Sequence, residues 1–385
     1  MSVVVREIRE AELDECLGLW CTVFRGDTRA YFERYFYGDA FFEPKYTRVA
    51  LVDGRIVSAV HIVKRLVACG ECTFTMGGIA NVATHPDARG QGLASQCLRQ
   101  AVDVMRADGM DFSALGTGIP HFYARYGWER AYRFAGSGAI RAMANPPQKR
   151  FFVRPYRADD EEAIRAIYDE YNCTRPVTVR RSHSYWRDWL GWAGPRHPGT
   201  VLVAQNGEGV AAYCLYTLER TSVVVRELAA RSLSEAAIED LIWACVEAGR
   251  TAGADRAELR VPMEPIVQAA ASRALDAWEC SLRETFMVRL LNPGAMLRAI
   301  APEINERWIC AGRPEGALSF STPEGVVTLA FGRKGVHVEE GGSGEGTQLD
   351  LLQLVTGFGP PRVTGPLAAL FPERPGAWFW DLDGF

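Results

Sequence analysis

The sequence predicts an α+β fold in which two tandem αβ units, each built on a mixed sheet, precede a smaller αβ region. Three observations predict it. Strand-like and helix-like segments run through the same order twice, over residues 2–143 and 152–291. Between them the pair Pro146-Pro147, flanked by polar Asn145 and Lys149, reads as a linker, because paired prolines continue neither helix nor sheet. A third set of short elements opens at Asn292-Pro293, and 385 residues exceed what one core usually organises. The expected boundaries are residues 1–145, 150–291 and 292–385.

In the first unit, alternation makes Ser2 to Ile8 a strand. Leu13, Leu17, Trp20 and Phe24 recur on one face of a helix over Glu10 to Phe24. A second helix spans about Thr28 to Phe36. Thr47 to Val52, the turn Asp53-Gly54, Arg55 to Ala68, a tip at Gly70 and Thr73 to Thr84 form an antiparallel meander. A helix over residues 92–108, a strand at Phe112 to Leu115, a short helix at Pro120 to Tyr126 and two closing strands complete the unit near Met143. The second unit repeats this: a strand at Phe152 to Pro155, helices at Asp159 to Asn172 and Ser182 to Trp192, and a strand at Thr200 to Gln205. Strands at Val210 to Glu219 and Ser222 to Ala230, a helix at Ser234 to Ala252, and strands at Arg256 to Val261 and Cys280 to Leu291 follow. The third region reads as a helix to Ile300, strands near Arg307 to Cys310, Ala317 to Ser321, Val326 to Phe331 and Val336 to Glu339, a glycine-rich loop at Glu340 to Gly346, and a helix at Gln348 to Gly357.

The most informative stretch runs from Val82 to Ser95, where a strand passes through a glycine-bearing turn into a helix. Gly90 and Gly92 let the backbone turn tightly and approach a ligand, and the unpaired N–H groups from Gln91 to Ser95 face an anion at the helix start. Arg89 adds a positive charge. The same residues also fit a surface turn whose glycines serve only packing. The matching junction of the second unit, Leu228 to Ser234, has no glycine and is read as structural, so one phosphate-bearing ligand per chain is expected.

Composition narrows the partners. A net charge of -4 with no basic run argues against nucleic acid. A small-molecule substrate fits better. The N-terminus lacks the apolar core of a signal peptide and no apolar run approaches a membrane-spanning length, so no membrane partner and a cytoplasmic location are expected. The ten cysteines are scattered through apolar segments and read as reduced core residues. Cys69-Gly70-Glu71-Cys72 has zinc-like spacing but no second pair, and no metal is expected.

Arg89-Gly90-Gln91-Gly92-Leu93-Ala94 resembles the Arg/Gln-x-x-Gly-x-Gly/Ala acetyl-CoA signature of the GNAT acetyltransferases. Together with Phe122-Tyr123-Ala124-Arg125-Tyr126-Gly127-Trp128, the second unit without the signature, and a last residue Phe385, the whole chain resembles the Eis (enhanced intracellular survival) family. That resemblance implies two GNAT-like domains, a third domain similar to a sterol carrier protein, a homo-oligomer that is usually a hexamer, and acetyl-CoA as acyl donor. It places the pyrophosphate at Arg89, Gly90, Gln91, Gly92, Leu93, Ala94 and Ser95, and the pantetheine arm along Val82, Ala83 and Thr84, a form of strand addition.

Acetyl transfer to an amine needs a held thioester, stabilisation of an oxyanion and a proton for the departing thiolate. The resemblance makes Tyr123 the general acid; its phenol, with an ordinary pKa of about 10, is protonated at neutral pH. Tyr126 competes one turn away. The resemblance also makes the C-terminal carboxylate of Phe385 the base, its ordinary pKa of about 3.5 raised by an apolar pocket. Aromatic Trp378, Phe379 and Trp380 favour a docked rather than a frayed tail. Trp20 and Phe24 are candidates for lining the acceptor pocket, or ordinary core. Asp27 and Asp383 are candidates for binding a cationic amine, or solvated acids, and His121 is a candidate proton relay or a structural histidine. The expected activity is acetyl-CoA-dependent N-acetylation of an amino-sugar, aminoglycoside or polyamine-like small molecule by direct attack. The alternative is a non-catalytic protein that binds an acyl-CoA, lipid or drug.

Overall fold

The computed structural model describes residues 3–141, 148–173, 175–190, 199–357, 363–371, 378–380 and 383–384. Most of the expected linker, Asn145 to Pro147, together with Met143 and Phe385, lies outside them.

The first unit contributes β1 (Val3–Glu7), α1 (Leu13–Val23), α2 (Arg29–Glu33), β2 (Thr47–Val52), β3 (Arg55–Cys69), β4 (Cys72–Thr84), α3 (Leu93–Ala107), β5 (Phe112–Leu115), α4 (Pro120–Ala124) and β6 (Glu129–Ile140). The second contributes β7 (Phe152–Pro155), α5 (Glu161–Asn172), β8 (Thr200–Asn206), β9 (Gly209–Leu218), β10 (Ser222–Ala230), α6 (Glu235–Thr251), β11 (Arg256–Leu259), α7 (Pro265–Ala274) and β12 (Leu275–Leu290). All twelve strands form one sheet in the order β1-β2-β3-β4-β5-β12-β6-β11-β10-β9-β8-β7.

That order corrects the expectation that two strands close the first unit. One strand, β6, leaves it and pairs with β11 of the second unit over Ala139↔Arg256 to Gly136↔Leu259. In exchange β12 enters beside β5, pairing Met287↔Leu115 to Leu290↔Phe112. β6 and β12 then pair with each other along almost their whole length, from Leu275↔Ile140 to Val288↔Glu129. Each unit is closed by the other's last strand, so neither sheet is complete alone.

Alternation along β3 divides the first unit's core between two faces. Val60 and Ile62 pack with α3 residues Cys97, Leu98 and Ala101. His61 and Val63 face α1 and α2, joining Trp20, Phe32, Tyr35 and Phe36. Helix α2 is shorter than expected, giving way at Arg34–Gly38 to a wide turn that abuts the similar turn Tyr185–Trp189 of the second unit, where a longer helix was expected.

The third region holds α8 (Pro293–Cys310), β13 (Gly316–Thr322), β14 (Gly325–Gly332), β15 (Gly335–Glu340), β16 (Gly346–Thr347) and α9 (Gln348–Thr356), with a separate sheet ordered β15-β14-β13-β16. The strand expected at Arg307 to Cys310 is helical: α8 continues through Pro302. Burial of Met296, Ile300, Ile304 and Trp308, four residues apart, gives that helix an apolar stripe whose packing outweighs the hydrogen bond lost at the proline. The helix α7 was not anticipated. The tip of the β3–β4 hairpin docks here, where the Cys69 and Cys72 thiols donate to the carbonyls of Val355 and Ala299. Among the described residues, no helix is long and apolar enough to cross a membrane.

Candidate functional site

The site begins where two parallel strands part. β4 pairs with β5 only from Met76↔Phe112 to Gly78↔Ala114. Among the described residues, the β5-facing backbone groups of residues 79–84 have no strand partner, so the two strands part beyond Gly78. A bulge marks the parting: between the pairs Ala59↔Ala83 and His61↔Ala80, two residues of β4, Asn81 and Val82, stand opposite one of β3. Asn81 takes φ 50°, a left-handed conformation that asparagine tolerates better than most residues.

At its end β4 runs into a short turn, Pro86–Ala88, and then Gly90 and Gly92, with φ of 79° and 71°. Left-handed backbone at two positions so close together is why glycine occurs at both. Gly92 caps α3 with no side chain accepting from the first turn, so the amides of Leu93, Ala94 and Ser95 lack a helical partner. An added Cβ at Gly90 or Gly92 would meet nothing within 4 Å, and Arg89, Gly90, Gln91 and Gly92 are exposed. The turn is an open, uncapped helix start, the geometry that receives an anionic oxygen. On the β4 edge Val82 and Thr84 are half-buried and Ala83 is buried.

Past β5, Pro120 starts α4, and Tyr123 turns inward with 7% exposure. Its hydroxyl interacts with the Thr117 side chain, and burial pushes the phenol up to about 12. A buried phenol of that acidity holds its proton through the neutral range. The competitor Tyr126 lies outside, half-buried against Phe122 and beneath the guanidinium groups of Arg99 and Arg125. His121 is exposed.

On the opposite face, the reading of Trp20 as a pocket wall is corrected. Trp20 is fully buried, its ring 5.0 Å from Phe36, 5.8 Å from Phe32 and 5.9 Å from His61, so it presents no surface to a substrate. Phe24 is half-buried beside Phe32, and Asp27 is exposed on the following loop. The structure adds His61, which no motif marks. It pairs with Ala80 next to the bulge, shares a hydrogen bond of 2.8 Å between Nδ1 and Thr47 Oγ1, and is held neutral, because burial pushes its pKa down to about 3.

A family model for an acetyltransferase (GNAT) domain matches residues 4–131. These residues are a GNAT acetyltransferase domain. The chain is by that domain an acyltransferase, although no curated relative matches it. Among solved structures, a GCN5-related N-acetyltransferase from Anabaena variabilis shares 16% identity over 100% of both chains with a TM-score of 0.72. One from Kribbella flavida shares 19% over 100% of this chain and 98% of that one, with a TM-score of 0.69. Eis1 from Mycobacterium abscessus shares 14% over 88% of this chain and 85% of that one, with a TM-score of 0.59. At these identities the likeness shows a shared fold, and the first two comparisons extend it through the third region.

The unit that follows the GNAT domain repeats its splay without the turn. β10 pairs with β11 only from Ser222↔Arg256 to Val225↔Leu259, then bulges and continues along β9 to Ala230. There the chain makes one tight turn, Arg231–Leu233, before α6. In that turn, ahead of the helix, the amide of Ser232 donates to Glu170 Oε1 at 2.8 Å.

Asp383 also differs from expectation. It is fully buried in the second unit, with Oδ1 2.9 Å from Arg181 Nε and Oδ2 3.0 Å from Arg181 Nη2, and it accepts from the Tyr185 hydroxyl at 3.0 Å. A carboxylate committed to a guanidinium and a phenol is not free to hold a substrate amine. Nothing in the local sequence signals this, because Asp383 and Arg181 lie two hundred residues apart.

Proposed function

We propose that the chain is an Eis-like, acetyl-CoA-dependent N-acetyltransferase acting on a primary amine of a small molecule. The observation that carries this reading is the β4–β5 splay leading directly to the uncapped start of α3. An extended pantetheine arm adds along residues 79–84, with Val82, Ala83 and Thr84 as its strand neighbours. The pyrophosphate then meets Arg89, Gly90, Gln91, Gly92 and the amides of Leu93, Ala94 and Ser95.

The neutral amine attacks the thioester carbonyl, a C–N bond forms, and the oxyanion is stabilised by backbone N–H groups near the Asn81–Val82 bulge. The C–S bond then breaks and Tyr123 gives its proton to the leaving thiolate. The ammonium proton passes to the carboxylate of Phe385, the base implied by the family resemblance. Phe24 and Asp27 border the acceptor's approach on the α1 side, and amino-sugars, aminoglycosides and polyamines are the acceptor class. The third region is read as similar to a sterol carrier protein and as the support for the C-terminal segment, in a homo-oligomer that the resemblance makes a hexamer of the cytoplasm.

The test is release of free thiol from acetyl-CoA across a panel of aminoglycosides, polyamines and lysine peptides. Release that depends on at least one amine is expected. Tight acetyl-CoA binding with no release above the amine-free rate would instead favour the non-catalytic binding protein.

A further inference from the structure

Arg181 holds two carboxylates where one would neutralise it. Its side chain is 0% exposed, as are those of Glu227 and Asp383. Glu227, on β10, accepts from Arg181 Nη1 at 2.9 Å and Nη2 at 2.7 Å, and from the Tyr213 hydroxyl on β9 at 2.6 Å. The guanidinium also lies 4.0 Å from the Tyr168 ring centroid and 4.7 Å from that of Trp186. Arg181 and Glu227 therefore form a complete pair within the second unit. Bringing Asp383 in as a second buried carboxylate has a desolvation cost, and burial pushes its pKa up against the pull of Arg181.

Docking of the tail on aromatic packing alone would avoid that cost. Trp380 is fully buried with its Nε1 3.1 Å from Asn172 Oδ1, and the Trp378 amide donates to the Pro176 carbonyl at 2.9 Å. What the ion pair adds is register, since a bidentate carboxylate–guanidinium contact fixes one residue of the tail in both position and orientation. The place it fixes is the seam with the GNAT domain. Tyr185, which bonds Asp383, lies with its ring 5.0 Å from the Arg65 guanidinium of β3, and Arg65 pairs with Asp39 at 2.8 Å.

We propose that Arg181 is a positioning residue for acetyl transfer: by anchoring Asp383 it fixes the register of the C-terminal segment that supplies the base. The second unit, which has no phosphate turn, thereby acts as the receptor for the chain's own C-terminal segment. This rests on the reading of the Phe385 carboxylate as the base.

The test is Asp383→Ala in the full chain, which removes the anchor and leaves the Arg181–Glu227 pair intact, so that Tm stays within a few degrees of wild type. Expected are faster hydrogen exchange at the tail amides that include Trp378, a fall in kcat of about 10- to 100-fold, as misplacement of a catalytic group produces, and an unchanged KM for acetyl-CoA. Asp383→Asn, whose amide oxygen still accepts from Arg181 and Tyr185, recovers part of kcat. Wild-type kcat with a released tail overturns the proposal, and so does a lowered kcat with tail exchange unchanged. A chain extended past Phe385 with full turnover removes the base and the proposal with it. An inactive extended chain beside a fully active Asp383→Ala removes only the anchor.

Discussion

The two strand-to-helix junctions of this chain begin alike and end differently. In both, parallel pairing stops after three or four residues and the first strand bulges away, Asn81–Val82 in β4 and Arg226 in β10. The GNAT junction then spends residues 85–92 on a turn with two left-handed glycines, while the second closes within residues 231–234, with Ser232 and Leu233 themselves at φ 48° and 49°. Left-handed backbone is thus not what separates them. Neither helix start carries a side-chain cap; the difference lies in the turn before it, which at the first junction is longer and holds Gly90 and Gly92, and at the second is short and has the Ser232 amide donating to Glu170. A carboxylate of α5 thus meets the second turn where the first has exposed glycines.

The largest effect expected from this comparison concerns Tyr123, the acid of the proposed reaction. Tyr123 stands three residues past the proline that opens α4, and three residues past Pro265 of α7 stands Gln268, whose amide donates to the Met263 carbonyl. A carboxamide cannot give a proton to a thiolate. Tyr123→Phe should lower kcat about 100- to 1000-fold with little change in the acetyl-CoA KM, whereas Gln268→Leu should leave kcat near wild type. Steady-state kinetics on both variants decides it, and equal sensitivity at the two positions would break the comparison.

Next in size is the turn. Gly92→Val places a β-branched residue at φ 71°, which such side chains strongly disfavour, and moves the first-turn amides. Calorimetric titration should find one coenzyme A site per wild-type chain and an affinity about 100-fold weaker in the variant, about 2.7 kcal/mol. Two sites per chain would show that the second junction binds despite Glu170.

How much of this could be read from the sequence follows from how local each feature is. The glycines at 90 and 92, the strand feeding them, and Tyr123 in its Tyr-x-x-x-Gly-aromatic pattern lie within about forty residues, and each depends on neighbours a few positions away. The strand exchange does not. Periodicity marks β6 and β12 as strands but carries nothing about partners, and the Leu275↔Ile140 register joins residues far apart in the chain. The helix expected to end at Ile300 runs on through Pro302, because the buried stripe from Met296 to Trp308 packs mainly on β15 and β14, strands that lie well ahead of it in the chain. Trp20 and Asp383 were legible as residue types suited to a pocket. Their surroundings, a closed aromatic core and a buried guanidinium, come from segments that no local pattern links to them.

The smallest expected effect tests how the third region distinguishes the two units. Asp111 and Asp255 hold matching places, each amide donating back to the strand before it, at Thr75 O (2.8 Å) and Thr221 O (3.1 Å). Asp255 is exposed. Asp111 lies where β12 passes into α8, and its carbonyl accepts from both Leu291 and Asn292. Burial there raises its carboxyl from 3.8 to about 6, outweighing the Thr75 amide that donates to Oδ2 at 2.8 Å. A carboxyl whose pKa is higher in the folded chain favours folding while protonated, and that contribution is lost as pH rises from about 4 through about 6. Asp111→Asn keeps an acceptor for the Thr75 amide and carries no charge. It should therefore be more stable than wild type at pH 7.5, by about 1 kcal/mol once partial solvent contact is allowed for, and should lose that advantage at pH 4.5. Thermal melting at the two pH values checks this. An equal gain at both would mean that the substitution improves packing and that the third region's cover leaves the charge of Asp111 unpenalised.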